Sequence, residues 1–581
     1  MPMFNNYDIV EMPLSLKRNR TMVEDFLAKS ALRLDDMDYY ATVVDRESYK
    51  ILAGGGFKGD IIKCIAVDDS LRGTGMSQQL ISHLMSQMAS QGHTNVKVFT
   101  KPGNADIFES LGFKTLGKGT KAILLENGLE GLSSYTNYLR SLKHEGKNGL
   151  IVMNANPFTL GHQHLVEQAA QQVDNLYVIA VGEDKSQFTS DERLEMVQAG
   201  CSHFDNVTVC RGSSYIISAA TFPSYFIKKA SDAALAQMEL DLDITARHIA
   251  PALGATVRFV GSEPADELTR NYNEAMKTIL PQHGIEVIEM PRYEKNSKPI
   301  SASVVRQMLA NGDLHKTTYM VPSTTVPYLV AWLAVNALKQ ELDLTPKPGL
   351  VDTHDNGAHT DMDYDIMLKS INALRPFFTK LAVMSYGTAL PDASILQQIG
   401  IEAEKDMLHA TSGVNTHRGA LFSMGLAVVA ACQMIANDKD WSSTVAHIAC
   451  KMPGANGTHG ASIKREHNVA GALELAQNGY KQLLDLWLKY YIDNKNDEHI
   501  KHKTLLLIMS ELDDTNVIHR AGYHKAQQVK RDAAHLLENF SIEGLEQMNQ
   551  RFIEWNISPG GAADMLSLTL FLSAIIKKDN N

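Results

Sequence analysis

The chain has 581 residues, 44% of them hydrophobic and 21% charged, which are the proportions of ordinary globular protein. Because domains usually contain about 100–200 residues, we expect several domains rather than one. The formal net charge of -11 excludes a general nucleic-acid binder, which would need a basic surface.

The N-terminal residues and the cysteines both indicate a cytoplasmic protein. The first ten residues, MPMFNNYDIV, lack the basic region and apolar run of a signal peptide. No stretch approaches the roughly 20 apolar residues of a membrane span, so no membrane partner is expected. The five cysteines are scattered and form no C-x-x-C pair, which indicates reduced thiols.

The first predicted segment, residues 1–135, alternates short strands with a helix. The apolar pattern predicts a helix over Gln78–Ser90 and strands over Tyr39–Val44, Ile61–Val67 and Val96–Phe99. The polar stretch Glu130–Lys147 predicts a linker to the next segment.

A glycine-rich loop, RGTGMS, joins the second of these strands to the helix. Backbone N–H groups of such a loop can bind a phosphate. The loop resembles the acetyl-CoA loop of the GNAT acetyltransferase fold, with Arg72, Gly73 and Gly75 at the matching positions and Ser77 as a departure. Residues 104–113, NADIFESLGF, resemble a second GNAT signature. The resemblance implies a GNAT-like domain that either transfers acetyl or only docks an acyl or pantetheine group.

The second predicted segment, residues 146–320, repeats strand and helix, which predicts a Rossmann-like parallel sheet. The predicted strands are Gly149–Met153, Leu176–Val181, Val207–Cys210, Val257–Val260 and Glu286–Met290. After the first strand, the turn at Asn156-Pro157 leads to TLGH, which places His162 in the first turn of a helix. The N-terminus of that helix favours phosphate, and an imidazole there can donate to charge developing on an α-phosphate.

Two stretches of this segment resemble the nucleotidylyltransferase superfamily. TLGH matches H/T-x-G-H, and ISASVVR, residues 300–306, matches I-S-x-S-x-x-R. The resemblance implies attack of a nucleophile on the α-phosphate of ATP, release of pyrophosphate and Mg²⁺ bridging the phosphates. Thr159 and His162 are the catalytic candidates. The candidate ATP- and phosphate-binding residues are Asn156, Pro157, Phe158, Gly161, His164, Lys185, Ser301, Ser303 and Arg306.

Together with GEDKSQF at residues 182–188 and GSEP at residues 261–264, these motifs resemble the citrate lyase ligase family over residues 1–320. This resemblance implies that acetate is adenylated and passed to the prosthetic-group thiol on the acyl-carrier subunit of citrate lyase. Lys185 and Arg193 are either contacts for a phosphate or carboxylate or solvated surface charges.

The third predicted segment, residues 325–581, is all-α and follows a hinge at Met320–Thr325. Strand patterns almost vanish there, and long apolar or helical patterns replace them. They cover Val326–Leu342, Ile395–Leu408, Gly419–Ile435, Thr504–Ser510 and Ala562–Ile576.

Four clusters of turn residues and charged groups adjoin these helices. They are LTPKPGLVD with NGAHTDM (344–362), GVNTHRG (413–419), LDDTN with His519-Arg520 (512–520) and SPGGAAD (558–564). Acids beside a buried helix need a partner, and a divalent metal is a natural one. Basic side chains in the same clusters are able to hold a triphosphate.

The clusters resemble triphosphoribosyl-dephospho-CoA synthase. The resemblance implies that the 2′-hydroxyl of 3′-dephospho-CoA attacks the ribose C1 of ATP and that adenine leaves. An oxocarbenium-like transition state favours nearby carboxylates. Asp513 or Asp514 is the candidate for metal and triphosphate, and Asp352, Asp361 or His359 is the candidate base. The candidate phosphate-binding residues are Lys347, Asn415, His417, Arg418 and Arg520.

The leading interpretation is a bifunctional enzyme that activates citrate lyase and makes its prosthetic-group precursor. Its expected partners are ATP, acetate, 3′-dephospho-CoA and the acyl-carrier subunit. One alternative is an adenylyltransferase of the pantetheine-phosphate type fused to an unrelated helical domain. The other is a non-catalytic scaffold that docks citrate lyase, against which the intact TLGH, ISASVVR and LDDTN stretches argue.

Overall fold

A computed structural model describes residues 7–182, 186–217, 222–227, 229–263, 266–295, 298–453 and 469–576. The chain forms two compact units, Met1–Ile300 and Ser301–Asn581. The first is α/β and the second helical, which confirms the predicted fold class. The first unit contains both α/β segments, and its boundary precedes the predicted hinge, so the division into three domains stays a prediction.

The first unit begins with a mixed sheet in the order β1-β2-β3-β4-β5-β7-β6. Neighbouring strands are antiparallel, except that β4 and β5 are parallel. The strands are β1 Tyr7–Glu11, β2 Tyr39–Asp45, β3 Ile51–Lys58, β4 Ile61–Val67, β5 Val96–Thr100, β6 Lys114–Lys118 and β7 Ile123–Asn127. The helices are α1 Lys17–Lys29, α2 Met76–Ser90 and α3 Ala105–Glu109. The three strands and the helix predicted for this region are confirmed.

The stretch predicted as a linker is instead mostly a helix, α4, over Gly131–Ser141. Leu132 and Leu139, seven residues apart, lie on one helical face and are both buried. They belong to a core cluster that includes residues of the first sheet and of the parallel sheet that follows. The prediction was wrong because the polar residues of this stretch occupy the opposite, exposed face.

The parallel sheet has the order β10-β9-β8-β11-β12. The five predicted strands are confirmed as β8 Asn148–Met153, β9 Asn175–Ala180, β10 Val207–Arg211, β11 Ala255–Gly261 and β12 Glu286–Met290. Around them lie α5 Leu160–Ala170, α6 Ser190–Cys201, α7 Ala230–Ile244, α8 Ala250–Leu253 and α9 Glu267–Ile279, followed by β13 Glu294–Lys295 and β14 Lys298–Pro299. Strand order reverses at β8, and ligands of such sheets bind beyond the carboxyl ends of the strands at this point.

The described part of the second unit contains helices and no strand. They are α10 Ala302–Ala310, α11 Leu314–Thr317, α12 Val326–Leu342, α13 Tyr364–Ser385, α14 Ala393–Ala410, α15 Arg418–Asn437, α16 Trp441–Lys451, α17 Ala472–Gln477, α18 Lys489–Asp493, α19 Ile500–Glu511, α20 Thr515–Ala521, α21 Tyr523–Glu538, α22 Ile542–Glu554 and α23 Gly560–Ile575. Helices α12, α15 and α23 pack on one another at its centre.

Helix α15 is long and apolar enough to cross a membrane, contrary to the expectation that no stretch approaches that length. Its 18-residue window has a mean hydropathy of 1.9, and 72% of that window is buried inside the unit. The helix contacts α13, α16 and α23, so its apolar surface forms part of the helical core.

Candidate active sites

The loop that follows β8 is held by a fully buried arginine. Arg193 Nη1 donates to the carbonyl oxygen of Asn154 at 2.9 Å and to its Oδ1 at 2.6 Å, and Nε donates to the carbonyl of Phe188 at 3.2 Å. The Oδ1 of Asn156 accepts from the backbone N–H of Phe188 at 3.2 Å. Arg193 therefore shapes the loop after β8, and the alternative of a solvated surface charge is wrong.

Thr159 and His162 form a reciprocal cap at the start of α5. Thr159 Oγ1 accepts from the backbone N–H of His162 at 3.4 Å, and the backbone N–H of Thr159 donates to His162 Nδ1 at 3.0 Å. Because Nδ1 is the acceptor, the proton of a neutral ring lies on Nε2. The ring stacks on Phe158, with centroids 5.7 Å apart. Desolvation, and secondarily the charge of Arg292, lower the pKa of His162 to about 4, so the ring is a neutral Nε2–H donor at neutral pH.

The neighbouring predicted residues complete this turn. The Asn156-Pro157 bond is cis. A Cβ on Gly161 would lie 3.5 Å from the carbonyl oxygen of Ile300, so the backbone of Ile300 runs against the start of α5. His164 is half-buried, with its ring 4.9 Å from that of Tyr293. Lys185 lies outside the described residues.

The second motif begins at the unit boundary. Ser301 precedes α10 as its N-terminal cap, and its hydroxyl lies 2.6 Å from the hydroxyl of Ser303. Burial lowers the pKa of the partly buried Arg306 guanidinium. The boundary between the two units falls directly before Ser301, so the pairing of this motif with His162 remains a prediction.

The glycine-rich loop of the first sheet has the backbone that its sequence predicts. Gly73 and Gly75 have φ values of 74° and 83°, in the left-handed region that favours glycine. A Cβ on either would meet nothing within 4 Å, so conformation and not space requires glycine there. Arg72 is exposed and pairs with Asp69 at 2.7 Å.

Beside this loop, β4 and β5 separate after the pairs Ile61–Lys97 and Ile62–Val98. The hydroxyl of Tyr225 lies between the diverging strands: it donates to the carbonyl of Phe99 at 3.4 Å and accepts from the backbone N–H of Cys64. Phe222 packs edge-on against Phe99 at 5.7 Å. The Phe99 carbonyl and the Cys64 N–H at this gap are thus paired with Tyr225.

The helical unit contains a cavity of about 1090 Å³. Eight of the predicted residues line it: Lys347, His359, Asn415, His417, Arg418, Asp513, Asp514 and Arg520. These eight residues come from three sequence clusters that are distant along the chain. Residues of the fourth cluster, 558–564, line the same cavity. Asp352 and Asp361 are not among the described residues that line the cavity.

The three base candidates differ in their surroundings. Asp352 is buried, and its two carboxylate oxygens accept from the backbone N–H groups of Lys347, His354 and Asp355 at 2.7–3.1 Å. Asp361 is exposed, 3.6 Å from Nδ1 of His359. His359 Nε2 lies 2.8 Å from the hydroxyl of Ser558, and burial followed by the charge of Arg520 lowers the pKa of His359. His359 is therefore the candidate that faces the cavity as a neutral base.

Asp514 joins the starts of two helices. Its Oδ1 accepts from the backbone N–H of Asn516 at 2.8 Å in α20, and its Oδ2 accepts from the N–H of Ala562 at 2.9 Å in α23. Burial raises the pKa of Asp514, although these hydrogen bonds act to lower it. Asp513 is more exposed and pairs with Lys530 at 2.9 Å.

The acids of this cavity fit a metal only in part. Carboxylate oxygens suit Mg²⁺, which keeps several waters and binds through few protein ligands and substrate phosphates. Asp513 is engaged by Lys530, and the described residues include no group of three or more His, Cys, Asp or Glu arranged to hold a metal ion. A magnesium ion would therefore be held by Asp514 with water and phosphate oxygens.

The basic and imidazole groups of the cavity are mostly paired within the unit. Lys347 is 1% exposed and donates to Glu341 Oε1 at 2.6 Å, while Arg418 pairs with Glu404. His417 Nδ1 lies 2.7 Å from the hydroxyl of Ser370, and Nε2 has no partner among the described residues. Burial lowers the pKa of His417 to about 4, so the ring is neutral.

Four lining carboxyls were missed from the sequence, namely Glu341, Glu404, Glu474 and Asp564. Glu341 is the lone acid of the apolar helix α12. A buried acid needs a partner, which was the available signal, and its partner Lys347 lies six residues further along. Asp564 closes the SPGGAAD cluster, and its position after four small residues was the available signal.

The fold and the sites define a two-part enzyme, with a capped helix N-terminus after the first strand of a parallel sheet in the α/β unit and a polar cavity in the helical unit. The citrate lyase ligase C-terminal domain model matches residues 148–329, and the ATP:dephospho-CoA triphosphoribosyl transferase model matches residues 327–581. The chain therefore belongs to the citrate lyase ligase family over its N-terminal part and to the triphosphoribosyl-dephospho-CoA synthase family over its C-terminal part.

Similar proteins cover the two parts separately. The [citrate [pro-3S]-lyase] ligase of Klebsiella pneumoniae is 39% identical over 320 residues, which are 54% of this chain and 93% of the relative. The probable 2-(5''-triphosphoribosyl)-3'-dephosphocoenzyme-A synthase of Streptococcus mutans is 36% identical over 281 residues, covering 42% of this chain and 95% of the relative. The solved pantothenate synthetase of Thermus thermophilus overlaps 35% of this chain and 73% of its own, at 14% identity and a TM-score of 0.22.

Proposed function

We propose that the α/β unit adenylates acetate and transfers the acetyl group to the prosthetic-group thiol on the acyl-carrier subunit of citrate lyase. Acetate attacks the α-phosphate of ATP, pyrophosphate leaves, and the thiol then displaces AMP from acetyl adenylate. The observation that carries this proposal is the cap between Thr159 and His162, which fixes a neutral Nε2–H donor at the N-terminus of α5.

Each part of that turn has a role in the proposed step. The α5 N-terminus stabilises phosphate charge through its backbone N–H groups and the helix dipole. His162 donates from Nε2 to the oxygen on which charge develops, which is worth about 10²–10³ in kcat for a single such donor. Arg193 keeps the loop from Asn154 to Asn156 in shape through its bonds to Asn154 and Phe188. Mg²⁺, when bound, neutralises phosphate charge.

The helical unit is proposed to make 2'-(5''-triphosphoribosyl)-3'-dephospho-CoA from ATP and 3'-dephospho-CoA, with release of adenine. Its cavity of about 1090 Å³ exceeds the roughly 300–1,000 Å³ of a pocket for one ligand, which suits two substrates at once. Arg418 and Arg520 supply positive charge for the triphosphate, and His359 is a neutral base for the 2′-hydroxyl. Asp514 would hold a magnesium ion on the phosphates.

The GNAT-like region is proposed to dock its partner and not to transfer acetyl. Tyr225 and Phe222 fill the gap between β4 and β5, while the loop at Gly73 and Gly75 stays open. A cytoplasmic location is part of the proposal, since all five cysteines are free and four of them are buried.

The test is a product analysis of the full chain with ATP and Mg²⁺. With 3′-dephospho-CoA we expect adenine and a triphosphoribosyl adduct by mass spectrometry; with acetate and thiol-form citrate lyase we expect AMP and pyrophosphate. His162→Ala should slow only the second reaction and Asp514→Ala only the first, so each variant is the control for the other.

Other outcomes would favour the alternatives. AMP transfer to phosphopantetheine in preference to acetate would indicate an adenylyltransferase of the pantetheine-phosphate type. Absence of all products, with retained binding to citrate lyase, would indicate a docking scaffold.

A further inference from the structure

One carboxyl group that faces the cavity of the helical unit has no role in the reaction as described above. Asp564 lies in the first turn of α23 and lines the cavity. The backbone N–H of Ala420, at the start of α15, donates to it. A Cβ on Gly419 would lie 2.0 Å from Asp564 Oδ2, so only glycine leaves room for the carboxyl. Two helix starts therefore hold this side chain in place at the cavity wall.

The groups around Asp564 favour its protonated form. Burial comes first, followed by the charges of Asp514 at the start of α20 and of Glu341 on α12, and together they raise the pKa of Asp564 far above its usual value. The Ala420 N–H acts in the opposite direction. Tyr480, before the helical turn Leu483–Leu488, is buried, and this burial raises the pKa of its hydroxyl.

The start of α15 brings two further groups to the same cavity. His417 is neutral, since burial lowers its pKa to about 4. The charge of Arg418 is paired with Glu404. The buried ammonium group of Lys347 is paired with Glu341. The directions of the two pKa shifts favour a protonated Asp564 and a neutral His359 on the same cavity.

The proposed transfer needs an acid of this kind. When the C1′–N9 bond of ATP breaks, the electron pair stays on the purine, which leaves as an anion unless a ring nitrogen takes a proton. The bond from C1′ to the 2′-oxygen of dephospho-CoA forms as that oxygen loses its proton. One proton is taken up and one released, so the reaction balances. General acid catalysis of such a departure contributes about 10²–10⁴ in rate.

We propose that Asp564 is the general acid that protonates adenine as it leaves, while His359 is the base. The assignment rests on the proposed triphosphoribosyl transfer. Two titratable groups whose surroundings push their proton affinities apart are the pattern of an acid and base pair. Asp564 returns to its protonated form by taking up the equivalent of the proton that the 2′-hydroxyl releases.

The experiment compares two leaving groups in the full chain. Asp564→Asn keeps the shape of the side chain and an acceptor for the Ala420 N–H, but it has no carboxyl proton. Adenine release from ATP and dephospho-CoA should fall about 10²–10⁴-fold in kcat. With a 4-nitrophenyl β-riboside 5′-triphosphate, whose leaving group departs without a proton, the variant should stay within a few-fold of the parent. Glu538→Gln, an exposed carboxyl on α21, is the matched control and should leave both rates unchanged.

The pH profile supplies the second readout. The kcat of the parent with ATP should fall as pH rises through the pKa of Asp564, because the acid loses its proton, and this limb should be missing with the nitrophenyl substrate. Equal loss on both substrates would make Asp564 a structural residue, and unchanged adenine release in Asp564→Asn would remove it from the mechanism. A parent chain that releases no adenine would instead overturn the proposed transfer itself.

Discussion

The buried ion pair of the helical unit gives a sharp prediction for Lys347→Met. Lys347 is 1% exposed and Glu341 is 5% exposed, and their charged atoms lie 2.6 Å apart. Removing the lysine leaves a buried acid without its partner, which costs about 3–5 kcal/mol of stability. Lysine also lowers the pKa of Glu341, so in the variant this pKa rises further and the acid folds in its protonated form.

The sign of the pH dependence follows from that raised pKa. A group that folds protonated stabilises the folded state below its unfolded pKa, about 4.3 for glutamate, and loses this advantage as pH rises. Lys347→Met should therefore be closest to the parent at pH 5 and lose most stability at pH 8. The measurement is the urea concentration at the midpoint of unfolding of the helical unit, monitored by circular dichroism at pH 5 and at pH 8.

The double variant Lys347→Met with Glu341→Leu is the control. Replacing both partners of a buried pair with apolar residues is commonly neutral or stabilising. We expect its urea midpoint to return to that of the parent at both pH values. A single variant as stable as the parent at pH 8, or a double variant as unstable as the single one, would refute the reasoning.

Three further predictions concern the two sites. His162→Ala should lower kcat for acetate-dependent pyrophosphate release about 10²–10³-fold, measured beside adenine release, which should not change. Arg193→Met should remove the donor of the backbone oxygen and Oδ1 of Asn154 and reduce pyrophosphate release; normal ATP turnover in this variant would show that the loop is held by other contacts. Gly419→Ala should push Asp564 from its place and slow adenine release without altering pyrophosphate release, as followed by chromatography.

The periodicity of the sequence predicted the regular elements well. Ile61–Val67 and Val326–Leu342 have the predicted bounds because apolar runs end there at turn residues. Strand β3 could not be predicted, because Gly54 to Gly56 are unfavourable for a strand when considered alone. Tertiary contacts explain why glycine is needed in this strand: a Cβ on Gly56 would lie 2.3 Å from the carbonyl oxygen of Tyr39 on the neighbouring strand.

The motifs identified which stretches form the sites, but not which side chains face the ligand. Asp352 and Asp564 both end a cluster of turn residues, yet the first binds its own loop and the second lines the cavity. That difference depends on the path of the backbone through each turn, and the spacing of residues along the sequence does not reveal this path. Likewise, Arg193 lies on α6 as one of several charges, and only its burial shows that it serves the loop after β8.

The aromatic segment around Tyr225 determines how the α/β unit can be divided. Phe222, Tyr225 and Phe226 follow β10 of the parallel sheet but are buried in one cluster with Phe99 of the first sheet. A ligase cut back to residues 146–320 would present these rings to water and lose the hydroxyl partners of Tyr225. The GNAT-like region therefore cannot be exchanged as an independent domain. A ligase fragment moved into another protein must contain the first sheet together with the parallel one.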